Sequence, residues 1–229
     1  MQYAATSRRI WEIDFIRGIA ILLMILFHLI VDLKDFFGFQ VEYLQGFWYL
    51  EGKLSAILFM IMCGVSSTLG RSTMQHGTKV FTWAMLLTAV TYIYNPRCYI
   101  QFGILHFLGI SLLSAGLIRR LSSVWIFMLS FVSILIGISF SERFVSNPYV
   151  FPFGLMTNTF ISLDYYPLFP WYGVFLFGII VGKIGYDDKM SLIQRPIPPF
   201  KNISWLGQHS LAIYLIHQPL LLSVLYLIL

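Results

Sequence analysis

Long apolar runs limit what this chain can fold into more than any other feature of its sequence. A membrane-crossing helix needs about 20 mostly apolar residues, and long apolar runs without alternation predict helices rather than barrel strands. The nearly charge-free runs are seven: 15–31, 54–70, 80–94, 99–118, 121–140, 170–182 and 207–229. The sequence therefore predicts an all-α integral membrane protein, a polytopic bundle of about seven transmembrane helices that forms one domain over residues 1–229.

The composition excludes the other broad classes of protein. Hydrophobic residues make up 58% of the chain and charged residues only 11%, whereas a soluble domain has about 25% charged residues. The mean hydropathy is +0.78, so a soluble globule could not cover its surface with polar groups. The 17% of aromatic residues excludes a disordered chain, because such a chain would collapse in water.

The distribution of charge predicts the orientation in the membrane. With seven crossings, one side holds ten basic residues: Arg8, Arg9, Arg71, Lys79, Arg119, Arg120, Lys183, Lys189, Arg195 and Lys201. The other side holds four basic residues, and after the acidic residues are counted the net charges are +6 and −2. The positive-inside rule then places the N-terminus in the cytoplasm and the C-terminus outside. We expect a multi-pass protein of a bacterial plasma membrane.

One face of the first apolar run carries ionisable side chains, which are costly at bilayer depth and indicate function. Arg17 and His28 are eleven residues apart, almost three helical turns, and so share a face. Asp32 lies one turn beyond His28, and Asp14 can pair with Arg17. The alternative is that Arg17 reaches the lipid phosphates and His28 only packs.

Further polar residues lie in or near the later runs. His106 falls at a depth similar to that of His28, and His217 lies near the middle of the last run. The three imidazoles could converge on one cavity, or each could be a packed side chain. Asp164 could bind a substrate or be a surface carboxylate. Trp171 fits either a binding role or the aromatic belt of a membrane protein.

Four segments carry a resemblance to a known family. They read RIWEIDFIRGIAILLMILFHLIVDL at 9–33, GILHFLGIS at 103–111, YPLFPWYGV at 166–174 and SLAIYLIHQP at 210–219. In this order they resemble motifs of the heparan-alpha-glucosaminide N-acetyltransferase catalytic-domain family, in the form of its small bacterial members. The resemblance implies a transmembrane acyltransferase that moves an acetyl group from cytoplasmic acetyl-CoA to an amine or hydroxyl of a sugar, in the cell envelope.

The resemblance and the predicted layout together suggest residue roles. The lysosomal members place their catalytic histidine in the first non-cytoplasmic loop, but residues 33–53 contain no histidine, so we assign the general base to His28, because imidazole titrates in the right range. Asp32 could orient its ring, and His106 or His217 could polarise the thioester carbonyl or hold the acceptor. His28 could act as the base or become transiently acetylated. Basic residues predicted to bind the polyanionic acetyl-CoA are Arg17, Arg71, Arg119, Arg120 and Lys183. Residues predicted to bind the sugar are Asp164, Trp171, His217 and Gln218.

Other classes of function remain open at this point. Arg17, His28, Asp32, His106 and His217 would also suit a proton-coupled transporter or channel. Paired histidines could ligate haem, although we expect no haem and no metal. A homodimer is plausible because Gly178 and Gly182 permit close helix contact. The bilayer, acetyl-CoA and a sugar acceptor are the expected partners, and no nucleic acid is.

Overall fold

The computed structural model describes residues 9–70, 72–141, 143–193 and 200–229. Within them the chain forms eight α-helices: α1 Trp11–Asp35, α2 Gly46–Leu69, α3 Thr73–Tyr94, α4 Ile104–Ile118, α5 Ser123–Phe140, α6 Leu168–Gly185, α7 Phe200–Gln208 and α8 Ser210–Ile228. A short 3-10 helix, Pro148–Phe153, lies between α5 and α6. No β-strand occurs in these ranges, so the predicted all-α class is confirmed.

Five of the described helices are long and apolar enough to cross a membrane: α1, α2, α5, α6 and α8. Helix α4 is a shorter apolar helix. Helix α3 has 22 residues, but its first turns carry Gln75, His76 and Lys79, which lower its hydropathy. The protein is thus a multi-pass membrane protein, while the count of seven crossings and the cytoplasmic N-terminus stay predictions.

Each of the seven predicted runs overlaps a helix, but the helix ends differ from the prediction. The long loop expected over 33–53 shrinks to residues 36–45, because α1 continues to Asp35 and α2 begins at Gly46. The charges of Glu51 and Lys53 interrupt the apolar run without interrupting the helix. Helix α7 is amphipathic and was not predicted as a separate element.

The chain divides into two compact units. A terminal unit contains Met1–Met62 and Asp188–Leu229, and a central unit contains Cys63–Asp187. The terminal unit thus joins the two ends of the chain through α1, the first part of α2, α7 and α8. The single domain over residues 1–229 stays a prediction.

In the terminal unit, α1 lies directly against α7. A Cβ at Gly18 would overlap the backbone of Ile203, and a Cβ at Gly207 would overlap the carbonyl of Asp14. Only glycine permits so close an approach of two backbones. The pairing of the two helices therefore depends on these two positions.

Helix α8 runs parallel to α1 along the terminal unit. Arg17 contacts the carbonyl of Gly207 just before α8 begins, while Asp32 contacts Gln218 farther along both helices. Phe37 and Tyr226 then meet near the ends, with ring centroids 5.0 Å apart. The parallel course of α1 and α8 is what an odd number of membrane crossings requires.

In the central unit, small residues let α2 and α6 pack closely. A Cβ at Gly64 would lie 2.9 Å from the Cα of Gly178, and a Cβ at Gly182 would meet the side chain of Thr68. The Gly178 and Gly182 spacing therefore serves contact within the chain. The homodimer stays a prediction, and it has lost the support of this spacing.

Candidate functional site

The polar face predicted on α1 begins with an ion pair. A guanidinium nitrogen of Arg17 lies 3.1 Å from Oδ1 of Asp14 and donates to the carbonyl of Gly207 at 3.3 Å. The pairing predicted from the spacing of three residues is thus confirmed. Asp14 is buried, so the guanidinium meets a carboxylate that has left water. Arg17 is held in place by both α1 and the end of α7.

His28 lies on the same helix with its orientation set by the backbone. Its Nδ1 is 2.8 Å from the carbonyl oxygen of Met24, one turn earlier. A carbonyl only accepts hydrogen bonds, so Nδ1 must carry the proton. In the neutral ring, Nε2 then has a free lone pair, which is the state that a general base requires.

His217 of α8 stands beside His28 in the same tautomer. The two ring centroids are 4.7 Å apart and the ring planes meet at 82°. Nδ1 of His217 lies 2.6 Å from the carbonyl oxygen of Tyr214, so its Nε2 is also an acceptor. That atom is buried and has no hydrogen-bond partner among the described residues. The structure thus brings two of the three predicted imidazoles together.

Asp32 contacts Gln218 of α8. Nε2 of Gln218 donates to Oδ1 of Asp32 at 2.6 Å, and Asp32 is fully buried. We expected Asp32 to orient the imidazole of His28, but it is the carbonyl of Met24 that holds that ring. The second oxygens, Oδ2 of Asp32 and Oε1 of Gln218, are buried with no hydrogen-bond partner in the described ranges.

We call His28, Asp32, His217 and Gln218 the histidine cluster. Its atoms that lack partners in the described structure are acceptors: one carboxylate oxygen, one amide oxygen and one imidazole nitrogen. Buried polar atoms in native proteins nearly always have partners. A group that brings hydrogen-bond donors, such as a hydroxyl or an amine, would satisfy them.

Glu51 is a buried polar residue that the apolar runs do not predict, because it falls in the loop expected over residues 33–53. Glu51 lies in α2 and is only 6% exposed, and both of its carboxylate oxygens lack a hydrogen-bond partner in the described chain. Glu51 lies only three residues before the apolar run 54–70. Extending the predicted helix by one turn at its N-terminal end would have included it.

The loop between α1 and α2 is fixed by polar contacts near the Asp32 end of α1. The hydroxyl of Tyr43 donates to Asp35 at 2.8 Å, and burial, followed by that hydrogen bond, raises the pKa of Tyr43 to about 12. The amide of Leu44, followed by Lys34, lowers the pKa of Glu42. The Tyr43 ring also meets Phe27, with centroids 6.1 Å apart.

In the central unit, His106 has partners on both ring nitrogens. The amide of Gly103 donates to its Nδ1 at 3.2 Å, and its Nε2 lies 3.1 Å from the hydroxyl of Thr88. That hydroxyl donates to the carbonyl of Ile100, so it accepts from Nε2 of His106. The imidazole is 3% exposed and connects the start of α4 to α3.

Asp164 lies at the same helix start. Its Oδ2 accepts from the amide of Ile104 at 2.9 Å, a contact that satisfies a free N–H group at the start of a helix. Trp171 lies in α6, with its ring centroid 5.5 Å from that of Tyr166. These two predicted sugar-binding residues belong to the central unit, whereas His217 and Gln218 belong to the terminal unit.

Two of the basic residues predicted to bind acetyl-CoA, Arg119 and Lys183, contact the ends of helices. Arg119 donates to the carbonyl of Gly70 at 2.9 Å and to that of Ser67 at 3.5 Å. Lys183 donates to the carbonyls of Leu121 and Arg119, at 2.6 and 3.2 Å. Such contacts satisfy carbonyls that lack an intrahelical partner. Arg120 is exposed, and Arg71 lies outside the described residues.

Comparison with known proteins identifies the family. In the described part of the chain, no group of three or more His, Cys, Asp or Glu residues is arranged to hold a metal ion. No curated protein and no solved structure matches the chain. The family described as "Heparan-alpha-glucosaminide N-acetyltransferase, catalytic" matches residues 9–219, which include helices of both units and the whole histidine cluster. The chain therefore belongs to the heparan-alpha-glucosaminide N-acetyltransferase catalytic-domain family, whose activity is of the membrane acetyltransferase type.

Proposed function

We propose that this protein transfers an acetyl group from acetyl-CoA to an amine or hydroxyl of a sugar, with His28 as the general base. The observation that carries the proposal is the hydrogen bond from Nδ1 of His28 to the carbonyl of Met24. It keeps the proton on Nδ1 and leaves Nε2 free to accept another. The family supports the acetyl transfer itself.

The reaction needs a base because the acceptor gains a positive charge as it attacks. The acceptor's nitrogen or oxygen forms a bond to the thioester carbonyl carbon while Nε2 of His28 takes the acceptor's proton. The tetrahedral intermediate then collapses, the carbon–sulfur bond breaks, and CoA leaves as the thiolate, which takes the proton from Nε2 of His28 and so restores the base. The carbonyl of Met24 stabilises the imidazolium formed in the first step, because it already accepts from Nδ1.

The other residues of the histidine cluster would bind the acceptor. His217 and Gln218 each present a buried acceptor atom beside His28 and Asp32, where hydroxyl or amino hydrogens of a sugar would fit. In our proposal Asp32 lines the site and contacts the sugar through Oδ2. Sugar binding by Asp164 and Trp171, which belong to the central unit, stays a prediction.

For the donor, we propose that the phosphates of acetyl-CoA bind basic residues of the central unit: Arg71, Arg119, Arg120 and Lys183. The same role for Arg17, which belongs to the terminal unit, stays a prediction. The support is electrostatic, since acetyl-CoA is polyanionic and guanidinium groups match phosphate geometry. Arg120 is the exposed member of the described part of this set. For His106, the contacts on both ring nitrogens favour a positioning role at the start of α4 over polarisation of the thioester.

Thermal unfolding of the purified protein in nanodiscs tests the donor assignment. A ligand that binds only the folded state stabilises it by about 2.7 kcal/mol at 100 times its dissociation constant. We expect acetyl-CoA and CoA, but not ATP, to raise the Tm of wild type and of His28→Ala alike. A folded wild-type protein that millimolar acetyl-CoA does not stabilise would overturn the proposal.

A further inference from the structure

Glu51 is a buried carboxylate with no partner in the described structure. Its residue is 6% exposed, and both Oε1 and Oε2 lack a hydrogen-bond donor. Removing a carboxylate from water without pairing it is costly, and such unsatisfied groups are rare in native proteins. A donor that is not part of the described chain must therefore complete this site.

Two contacts between α1 and α2 show which residues of α1 lie opposite Glu51. The hydroxyl of Ser55 donates to the carbonyl of Ala20 at 2.9 Å. Farther along α1, a Cβ at Gly52 would lie 2.6 Å from the ring of Phe27. The two helices thus run in opposite directions, and Glu51 lies at the level of Phe27 and His28. All of these residues belong to the terminal unit.

The polar atoms of this level share one chemical property. At this level, five buried atoms have no partner in the described ranges, and all five are acceptors: both oxygens of Glu51, Oδ2 of Asp32, Oε1 of Gln218 and Nε2 of His217. Three of their residues, Glu51, Asp32 and His217, are more than nine-tenths buried. A ligand of these atoms must supply several donors, and it must not bring negative charge, because two carboxylates already lie at this level.

We propose that Glu51 is a further substrate-binding residue, whose carboxylate accepts hydrogen bonds from the hydroxyl or ammonium groups of the acetyl acceptor. The inference rests on the proposed function and adds to it the class of acceptor: a sugar that is neutral or cationic around the group to be acetylated. A sulfate, phosphate or carboxylate next to that group would be repelled. Glu51 would hold the acceptor while His28 removes its proton.

Binding without turnover gives the first test. Wild type and Glu51→Gln are compared in nanodiscs. The probes are D-glucosamine and D-glucose, and the readout is thermal stabilisation. Glu42→Gln is the matched control, because Glu42 is exposed in the loop 36–45 of the same unit. We expect one or both sugars to stabilise wild type and Glu42→Gln, and Glu51→Gln to weaken that binding at least tenfold.

Kinetics give the second readout. Glu51→Gln should raise the KM for the sugar at least tenfold and leave the KM for acetyl-CoA within twofold of wild type. Equal sugar binding and equal sugar KM in folded Glu51→Gln would overturn the inference. If Glu51→Gln fails to fold, the test uses wild type with glucosamine 3-sulfate, whose charge adjoins the amine. It should bind at least tenfold more weakly than glucosamine, and equal binding would overturn the inference.

The two proposals fail in different ways. If the sugars stabilise wild type but not Glu51→Gln while acetyl-CoA neither binds nor reacts, the sugar site stands and acetyl transfer falls. If wild type transfers acetyl groups and Glu51→Gln does so with unchanged sugar KM, acetyl transfer stands and the role of Glu51 falls. If neither sugar stabilises folded wild type at any concentration tested and no acetyl transfer occurs, both fall.

Discussion

The imidazole rings of His28 and His217 meet edge to face, 4.7 Å apart between centroids, although 189 positions separate them in the chain. Each ring donates from Nδ1 to a carbonyl of its own helix. In the neutral form of each ring, Nε2 is therefore the acceptor. This contact joins the first and last helices of the chain.

Replacing His28 should slow turnover strongly and leave the protein folded. General base catalysis contributes about 10²–10⁴-fold to a rate, so His28→Ala should lower kcat by that factor. His209→Ala is the matched control, because Nδ1 of His209 also contacts a carbonyl one turn earlier, that of Trp205, but the residue is exposed. Steady-state release of CoA is the measurement. Equal losses in the two variants would argue against a base at His28.

Replacing Gln218 should destabilise the fold through Asp32. Gln218→Leu removes the donor to Oδ1 of a fully buried carboxylate, and a buried acceptor left without its partner costs about 1–3 kcal/mol. Gln208→Leu is the control, since Gln208 is exposed on α7. Denaturant unfolding in detergent gives both free energies. The same loss in both variants would show that the contact with Asp32 contributes little.

Adding one methyl group at Gly207 should separate α1 from α7. A Cβ there would overlap the carbonyl of Asp14, and overpacking costs about 1–3 kcal/mol, occasionally more. Gly185→Ala is the control, because a Cβ at Gly185 meets no atom within 4 Å. We expect a lower free energy of unfolding for Gly207→Ala alone. An unchanged value would contradict the close contact of the two helices.

The sequence predicts the local features of the site better than the tertiary ones. The Asp14 and Arg17 pair follows from a spacing of three residues on one helix, and the shared face of Arg17 and His28 follows from helical periodicity. The contact of Asp32 with Gln218 joins residues 186 positions apart, and no periodicity reports such a distance. Glu51 is not predicted, because the charges of Glu51 and Lys53 end the apolar run although they do not end the helix.

Residue type alone does not distinguish a functional role from a structural one. His106 is predicted to be functional because ionisable residues are costly in a membrane, and Arg119 and Lys183 because acetyl-CoA is polyanionic. The structure gives each of them backbone partners at helix ends. Helix ends leave amide and carbonyl groups unpaired. Inside a bilayer, a polar side chain can therefore serve to pair such a group as well as to bind a substrate. Sequence offers no means to separate the two uses.

The basic residues can be separated by experiment. Arg119→Ala removes the donor to the carbonyl of Gly70, so it should lower the free energy of unfolding by about 0.5–1.5 kcal/mol, the net contribution of a typical hydrogen bond. Arg120→Ala removes an exposed charge and should leave stability unchanged while raising the KM for acetyl-CoA. With acetyl-pantetheine, which has no nucleotide phosphates, the KM of Arg120→Ala should equal that of wild type. A persistent difference would contradict phosphate binding by Arg120.

Alkaline titration tests the loop over the Asp32 end of α1. Burial, followed by the hydrogen bond to Asp35, raises the pKa of Tyr43 from 10.0 to about 12. Because the folded-state pKa is the higher one, the stability from this group is complete below pH 10 and is lost as the pH rises through about 12. The tyrosinate absorbance of wild type minus that of Tyr43→Phe should titrate near pH 12. A difference curve centred at pH 10 would contradict the contact.

Transfer of radiolabelled acetate from acetyl-CoA to glucosamine by the purified protein in nanodiscs tests the central claim most directly. We expect wild type to label the sugar, and His28→Ala to bind acetyl-CoA with an unchanged Tm shift but to label the sugar at least a hundredfold more slowly. Radiolabel trapped covalently on His28 of the wild-type protein would show that His28 acts as a nucleophile, through an acetyl-imidazole intermediate, and not as a general base. Wild-type rates in folded His28→Ala would contradict the account.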